Sequence, residues 1–166
     1  MFGLHAPSRA GWLVVGVSAL LALTVASEGA LAAARCRRVD GRFTLQAVTG
    51  PACTSAVGVC ATGVYSGDVE GTSTFTGTSL VPTADTPTTS VVLLTGDNTI
   101  RTGRGDLLTK DAIVLQTTGA GDFAEVDTVV GATRGLLGAS GVLRAQGTFT
   151  VVAGGEGRYT GEICLP

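Results

Sequence analysis

From residue 35 onward no segment of this chain carries a helical stripe. Thr, Val and Gly recur there at the spacing of two that sends alternate side chains to opposite faces of a strand. Turn signals break the pattern roughly every ten residues, the signature of an all-β sandwich or barrel. The pattern predicts strands over 42–48, 59–65, 70–81, 90–95, 99–103, 111–117, 123–130, 141–152 and 158–164. Gly96-Asp97, between two apolar β runs, predicts a tight hairpin. Glycine clusters over 119–122 and 154–157 predict the next two turns. The polar stretch 82–87 separates segments of the same composition, so it is a loop within one domain.

Ahead of the β pattern lies a different text. Residues 1–11 carry Arg9 and no acid, residues 12–26 form an apolar run, and small residues follow at Ala30, Ala32, Ala33 and Ala34. This order predicts a secretory signal peptide over 1–34, cleaved after Ala32 or Ala34, and one domain over 35–166. The apolar run is shorter than the ~20 residues a spanning helix needs, so no membrane association is expected after cleavage. Arg35 directly before Cys36 argues against a lipid anchor. The expected destination is the periplasm, the cell surface or the medium. A single Lys (Lys110) and a single Asn (Asn98) beside abundant Ala, Gly, Val, Thr and Arg suggest a GC-rich bacterial genome.

Cleavage removes Met1, His5 and Trp12, each the sole residue of its type. It also removes one base, Arg9, and one acid, Glu28, so the net charge stays at −2. That is not the basic footprint of a nucleic-acid partner. Without His the domain has no Ser-His-Asp or Cys-His arrangement and no His-rich zinc motif. The four cysteines Cys36, Cys53, Cys60 and Cys164 lack a C-x2-C pair, so disulfides are expected and no metal. Three pairings exist. Cys53–Cys60, closing a short loop, and Cys36–Cys164, tying the ends, are favoured, worth at most about 2.5 and about 5 kcal/mol through chain entropy.

Asp68 with Glu70, and Glu125 with Asp127, are carboxylate pairs two residues apart, each on one strand face. They meet the spacing of a glycosidase pair, but the domain has no Trp platform for a sugar. In 123–130 one face carries Ala124, Val126, Thr128 and Val130 and the other Phe123, Glu125, Asp127 and Val129. Solvated carboxylates are the commoner outcome of such a pattern. If that face lines an interior, two acids sit in a cavity. Arg104-Gly-Asp106 matches an integrin-type tripeptide, a match short enough to arise by chance. The glycines of 131–141 lack the Gly-Lys-Ser/Thr of a phosphate loop and suit turns and bulges.

The C-terminal half then becomes recognisable. The strand 123–130, the run Val130-Gly-Ala-Thr-Arg-Gly-Leu-Leu-Gly-Ala-Ser-Gly141, the strand ending Gly147-Thr-Phe149 and the closing Gly155-Glu-Gly-Arg-Tyr-Thr-Gly-Glu-Ile163 resemble the end of the allene oxide cyclase and dirigent barrel superfamily. Tyr65-Ser-Gly-Asp-Val-Glu-Gly-Thr-Ser-Thr-Phe75 resembles an early strand of its bacterial members. The resemblance spans 59–163. It implies a single antiparallel, calycin-like eight-stranded barrel with a small apolar cavity and no cofactor. Plant members cyclise a fatty-acid epoxide or steer phenoxy-radical coupling. Ala132 and Arg134 stand where the family often has Gly, which requires negative φ at both. No family catalytic residue maps onto this chain. On a cyclase-like reading the candidate cavity residues are Tyr65, Glu70, Arg101, Glu125 and Asp127. With no strong catalytic signature, binding of a small apolar ligand or a structural role ranks ahead of catalysis. A homo-oligomer is open.

Overall fold

The computed structural model describes residues 35–83 and 90–166. The expected signal peptide, 1–34, lies outside the described residues. Eight strands follow one another: β1 (Arg35–Val48), β2 (Cys60–Gly67), β3 (Gly71–Pro82), β4 (Val91–Thr102), β5 (Gly105–Gln116), β6 (Asp122–Ala132), β7 (Ser140–Thr150) and β8 (Gly154–Leu165). Each pairs antiparallel with its neighbour in sequence, and β1 pairs with β8 to close the barrel. Closure leaves no free sheet edge, which suits a chain so rich in strand-forming Thr and Val. Bulges at Gly77/Ser79 and Leu108/Thr109 shift the register. No helix among the described residues is long and apolar enough to cross a membrane.

The sequence expectation of nine strands is corrected at one place. No hairpin forms at Gly96-Asp97, and the two expected strands are one, β4. Gly96 is an inward position opposite Asp111. A Cβ there would run into the Phe75 ring, so the glycine serves close packing and not a turn. Asp97 points outward and pairs with Lys110 of β5. The turn lies further on, at Gly103 and Arg104. The Gly154–Gly157 cluster likewise belongs to β8, and the turn before it is formed by 151–153.

Both disulfides join the favoured partners. Cys36–Cys164 fastens the β1–β8 seam, where the two residues face each other across the ladder. Cys53–Cys60 pins the long β1–β2 connection to the start of β2. Within that loop Ser55 Oγ donates to the Gly77 carbonyl at 2.6 Å and accepts from the Val57 and Val59 amides at 3.1 and 3.2 Å.

The interior has two ends of different character. Toward the termini it is filled with apolar side chains, including Val39, Ile100, Leu107, Leu143 and Ile163. Tyr159 crosses this end: its hydroxyl accepts from the Val69 amide at 2.8 Å and can donate to the Val69 carbonyl at 3.1 Å. Toward the β1–β2 loop, Ala61, Phe75 and Leu94 pack with Val57, Val59 and Phe149. Outside, Val81, Leu93 and Val114 are exposed and fall in register across β3, β4 and β5. Arg134, expected at negative φ, takes φ 51° in the turn between β6 and β7 and pairs with Asp106 at 3.5 Å.

Candidate functional site

Alternation along β5 and β6 places three carboxylates inside the barrel. On β6 Phe123, Glu125, Asp127 and Val129 face in, while Ala124, Val126, Thr128 and Val130 face out. On β5 Thr109 and Asp111 face in, and Asp111 is the cross-strand partner of Asp127. Of the two outcomes open to the 123–130 face, the structure takes the interior one. Asp127 is 0% and Asp111 2% exposed, and Glu125 lines the cavity beside them.

The cavity is small, about 50 Å3. Its walls include Phe43, Leu45, Phe75, Leu115, Phe123 and Phe149, and Val59 reaches it from the disulfide-pinned loop. Tyr65, Ser73, Asn98 and Glu125 supply its polar groups. Tyr65 is held by ring contacts with Phe43 and Tyr159, centroids 5.5 Å apart in each case.

The polar floor has too few donors. Thr109 Oγ1 donates to Asp111 Oδ1 at 2.6 Å. Asn98 Oδ1 has no protein partner, and beyond Thr109 the two Asp carboxyls meet only the Glu125 carboxyl and, at Asp111, the Asn98 amide. Every Arg and Lys among the described residues is exposed, so no base reaches these acids. Crowding without a counter-charge makes each of the three carboxyls harder to ionise. Burial first, and then the Asp111 charge, push Asp127 up to about 8. Burial pushes Asp111 up to about 6, against the pull of the Thr109 hydrogen bond. Glu125 is raised well above the usual range by burial and then by its two acidic neighbours. Burial, with the same acids behind it, also raises the Tyr65 phenol. The three carboxyls bring one oxygen each within 4.8 Å of the others, a spacing compatible with a single divalent cation.

The expected cavity residues thus divide. Tyr65 and Glu125 line the cavity, and Asp127 is buried beside Glu125 without lining it. Arg101 does not: Asn98 and Ile100 are the inward residues of β4, which puts Arg101 on the outer surface, exposed. Glu70 does not either; it is exposed in the turn between β2 and β3. Asp111, Asn98, Ser73 and Thr109 were not singled out from the sequence. The alternation of Leu107, Thr109, Asp111, Ile113 and Leu115 could have pointed to Asp111, but the opposite face, with Leu108, Ala112 and Val114, is almost as apolar.

The fold and site together define a closed eight-stranded antiparallel barrel with an aromatic-walled, acid-floored cavity. Compared with protein-family models, curated proteins and solved structures, the chain finds no match in any of the three.

Proposed function

We propose that this protein is an exported barrel that binds a small, largely apolar ligand at the mouth of its cavity. The observation that carries the reading is the combination of aromatic and aliphatic walls with unpartnered polar groups at one end, the usual make-up of a small-molecule site. The two disulfides and the absence of a membrane-spanning helix among the described residues are compatible with a periplasmic or extracellular setting. Kinship with the allene oxide cyclase and dirigent superfamily is part of the proposal, supported by the agreement between the barrel that kinship implies and the one observed.

A second reading, cofactor-free isomerisation or stereochemical guidance, is favoured by one observation. Asp127, pushed up to about 8, holds a proton at neutrality next to Glu125, which lines the cavity and is raised by the same burial, as general acids are. Native mass spectrometry of the mature protein from its host's exported fraction, before and after organic extraction, tests both. Release of a small molecule supports binding, and its conversion on incubation with fresh protein supports catalysis. A protein that is empty as isolated and takes up nothing from host extract counts against both and favours a structural role.

A further inference from the structure

We infer that the ligand of this cavity presents a protonated primary amine to the acidic floor, with an unbranched apolar chain leading out through the mouth. The inference rests on the ligand-binding reading and gives that ligand a chemical class.

Three independent features select the head group. The first is the sign of the unpartnered atoms. Asn98 Oδ1, of a residue that lines the cavity, is buried without a partner, and behind it Asp127 meets only the Glu125 carboxyl, and Asp111 only Thr109, Glu125 and the Asn98 amide. An amide oxygen can only accept, and so can a carboxylate. Asn98 is 6% exposed and stands beside Asp111 and Tyr65, where its amide lowers the pKa of both. A group with several donors and no acceptor completes this set, and an ammonium has three donors. A carboxylate or phosphate head meets only repulsion, because every Arg and Lys among the described residues is exposed.

The second feature is the wall. Phe43, Tyr65 and Phe123 form a linked aromatic group, with Phe43 to Tyr65 at 5.5 Å and Phe43 to Phe123 at 6.1 Å between centroids. Aromatic faces around a carboxylate suit an organic cation. They offer nothing to a metal ion, which needs further oxygen ligands or waters.

The third is size. A cavity of about 50 Å3 accepts an ammonium and the first carbons behind it. It has no room for a trimethylated head, nor for a ligand swallowed whole. The remaining chain lies against the apolar rim, where Leu45, Leu115 and Phe149 line the cavity.

An ammonium makes an ion pair only with an ionised floor, so it displaces a proton to solvent. The titratable groups that line the site are Glu125 from β6 and Tyr65 from β2; Asp111 from β5 and Asp127 from β6 are buried behind Glu125, one oxygen of each of the three acids within 4.8 Å of the others. From β1, β3 and β4 the site is met by Phe43, Ser73 and Asn98.

The test uses four six-carbon probes on the full mature protein: n-hexylamine, n-hexanol, n-hexanoate and N,N,N-trimethylhexylammonium. Titration calorimetry in two buffers of different ionisation enthalpy reads affinity and proton release together. Hexylamine is expected to bind at least tenfold tighter than the other three at pH 8. It is expected to release about half a proton at pH 8 and nearly one at pH 7, and to weaken roughly fivefold between the two. Asp127→Asn is expected to lose the amine preference while keeping hexanol binding, which shows that the fold and the mouth persist. Hexanol binding as tightly as hexylamine, with no proton release, overturns the ammonium assignment and leaves the ligand-binding reading intact. Mn2+ binding in the micromolar range and excluding hexylamine overturns it in favour of a metal site. Failure of all four probes and Mn2+ overturns both the assignment and the reading beneath it.

Discussion

Asp127→Asn should stabilise this protein at neutral pH, although it alters a fully buried residue. Burial and the Asp111 charge lift the Asp127 carboxyl from 3.8 to about 8. The folded state therefore keeps a proton that the unfolded chain loses as pH rises through 4. Stability is full below that point, falls across the window from about 4 to about 8, and then levels off as the folded carboxyl ionises too. Moving the carboxyl from 3.8 to about 8 corresponds to a loss on the order of 5 kcal/mol. Asparagine has the same shape, never carries the charge, and brings an N–H to a floor that lacks donors. Urea unfolding of the disulfide-intact, ligand-free protein at pH 4.5, 6, 7 and 8.5 reads the effect. The wild type should lose several kcal/mol from the lowest to the highest pH, and the variant less than half as much. A wild-type stability that rises with pH, or an unchanged slope in the variant, would refute the account of an uncompensated acidic floor.

Other outcomes follow from single features. Gly96→Val drives a side chain into Phe75 and should cost about 1–3 kcal/mol in the same unfolding assay. Arg134→Gly removes a side chain from φ 51° and should add up to about 1 kcal/mol, since the exposed pair with Asp106 contributes little. Replacing Cys53 and Cys60 by Ser should cost up to about 2.5 kcal/mol and, by freeing the loop that brings Val59 to the mouth, speed probe exchange in stopped-flow. Replacing Cys36 and Cys164 by Ser should cost up to about 5 kcal/mol and leave probe affinity at its wild-type value, because that bridge lies at the opposite end.

The division between what was legible in the sequence and what was not follows from how a barrel is built. Alternation at 123–130 separated the two faces of β6 correctly, yet nothing local says which face is inside. Val126 and Val130 are exposed, so both faces read as partly apolar. The side is fixed by ladder partners far along the chain, such as Asp111 for Asp127 and Leu143 on the other edge. Asn98 was hidden because Gly96-Asp97 has hairpin chemistry, and a hairpin there would have put Asn98 in a turn. What overrides it is Phe75, twenty-one residues earlier, whose ring fills the space over Gly96. The same misplaced turn let Arg101 seem free to face inward. The cysteine pairing was legible because chain ends that meet and a short closed loop are properties of the sequence order itself.

The β1–β8 seam has a consequence for how the molecule comes into being. The strands that meet there are the first and the last, so seven strands make an open sheet and not a smaller barrel. Asp111, Glu125 and Asp127 sit on strands in the middle of the chain, and until β8 docks on β1 they remain open to water. The desolvation of the acids is therefore concentrated in the final closing step. Acidity should ease that step, and an alkaline medium should hold the chain as a hydrated, open sheet whose two ends have yet to find each other.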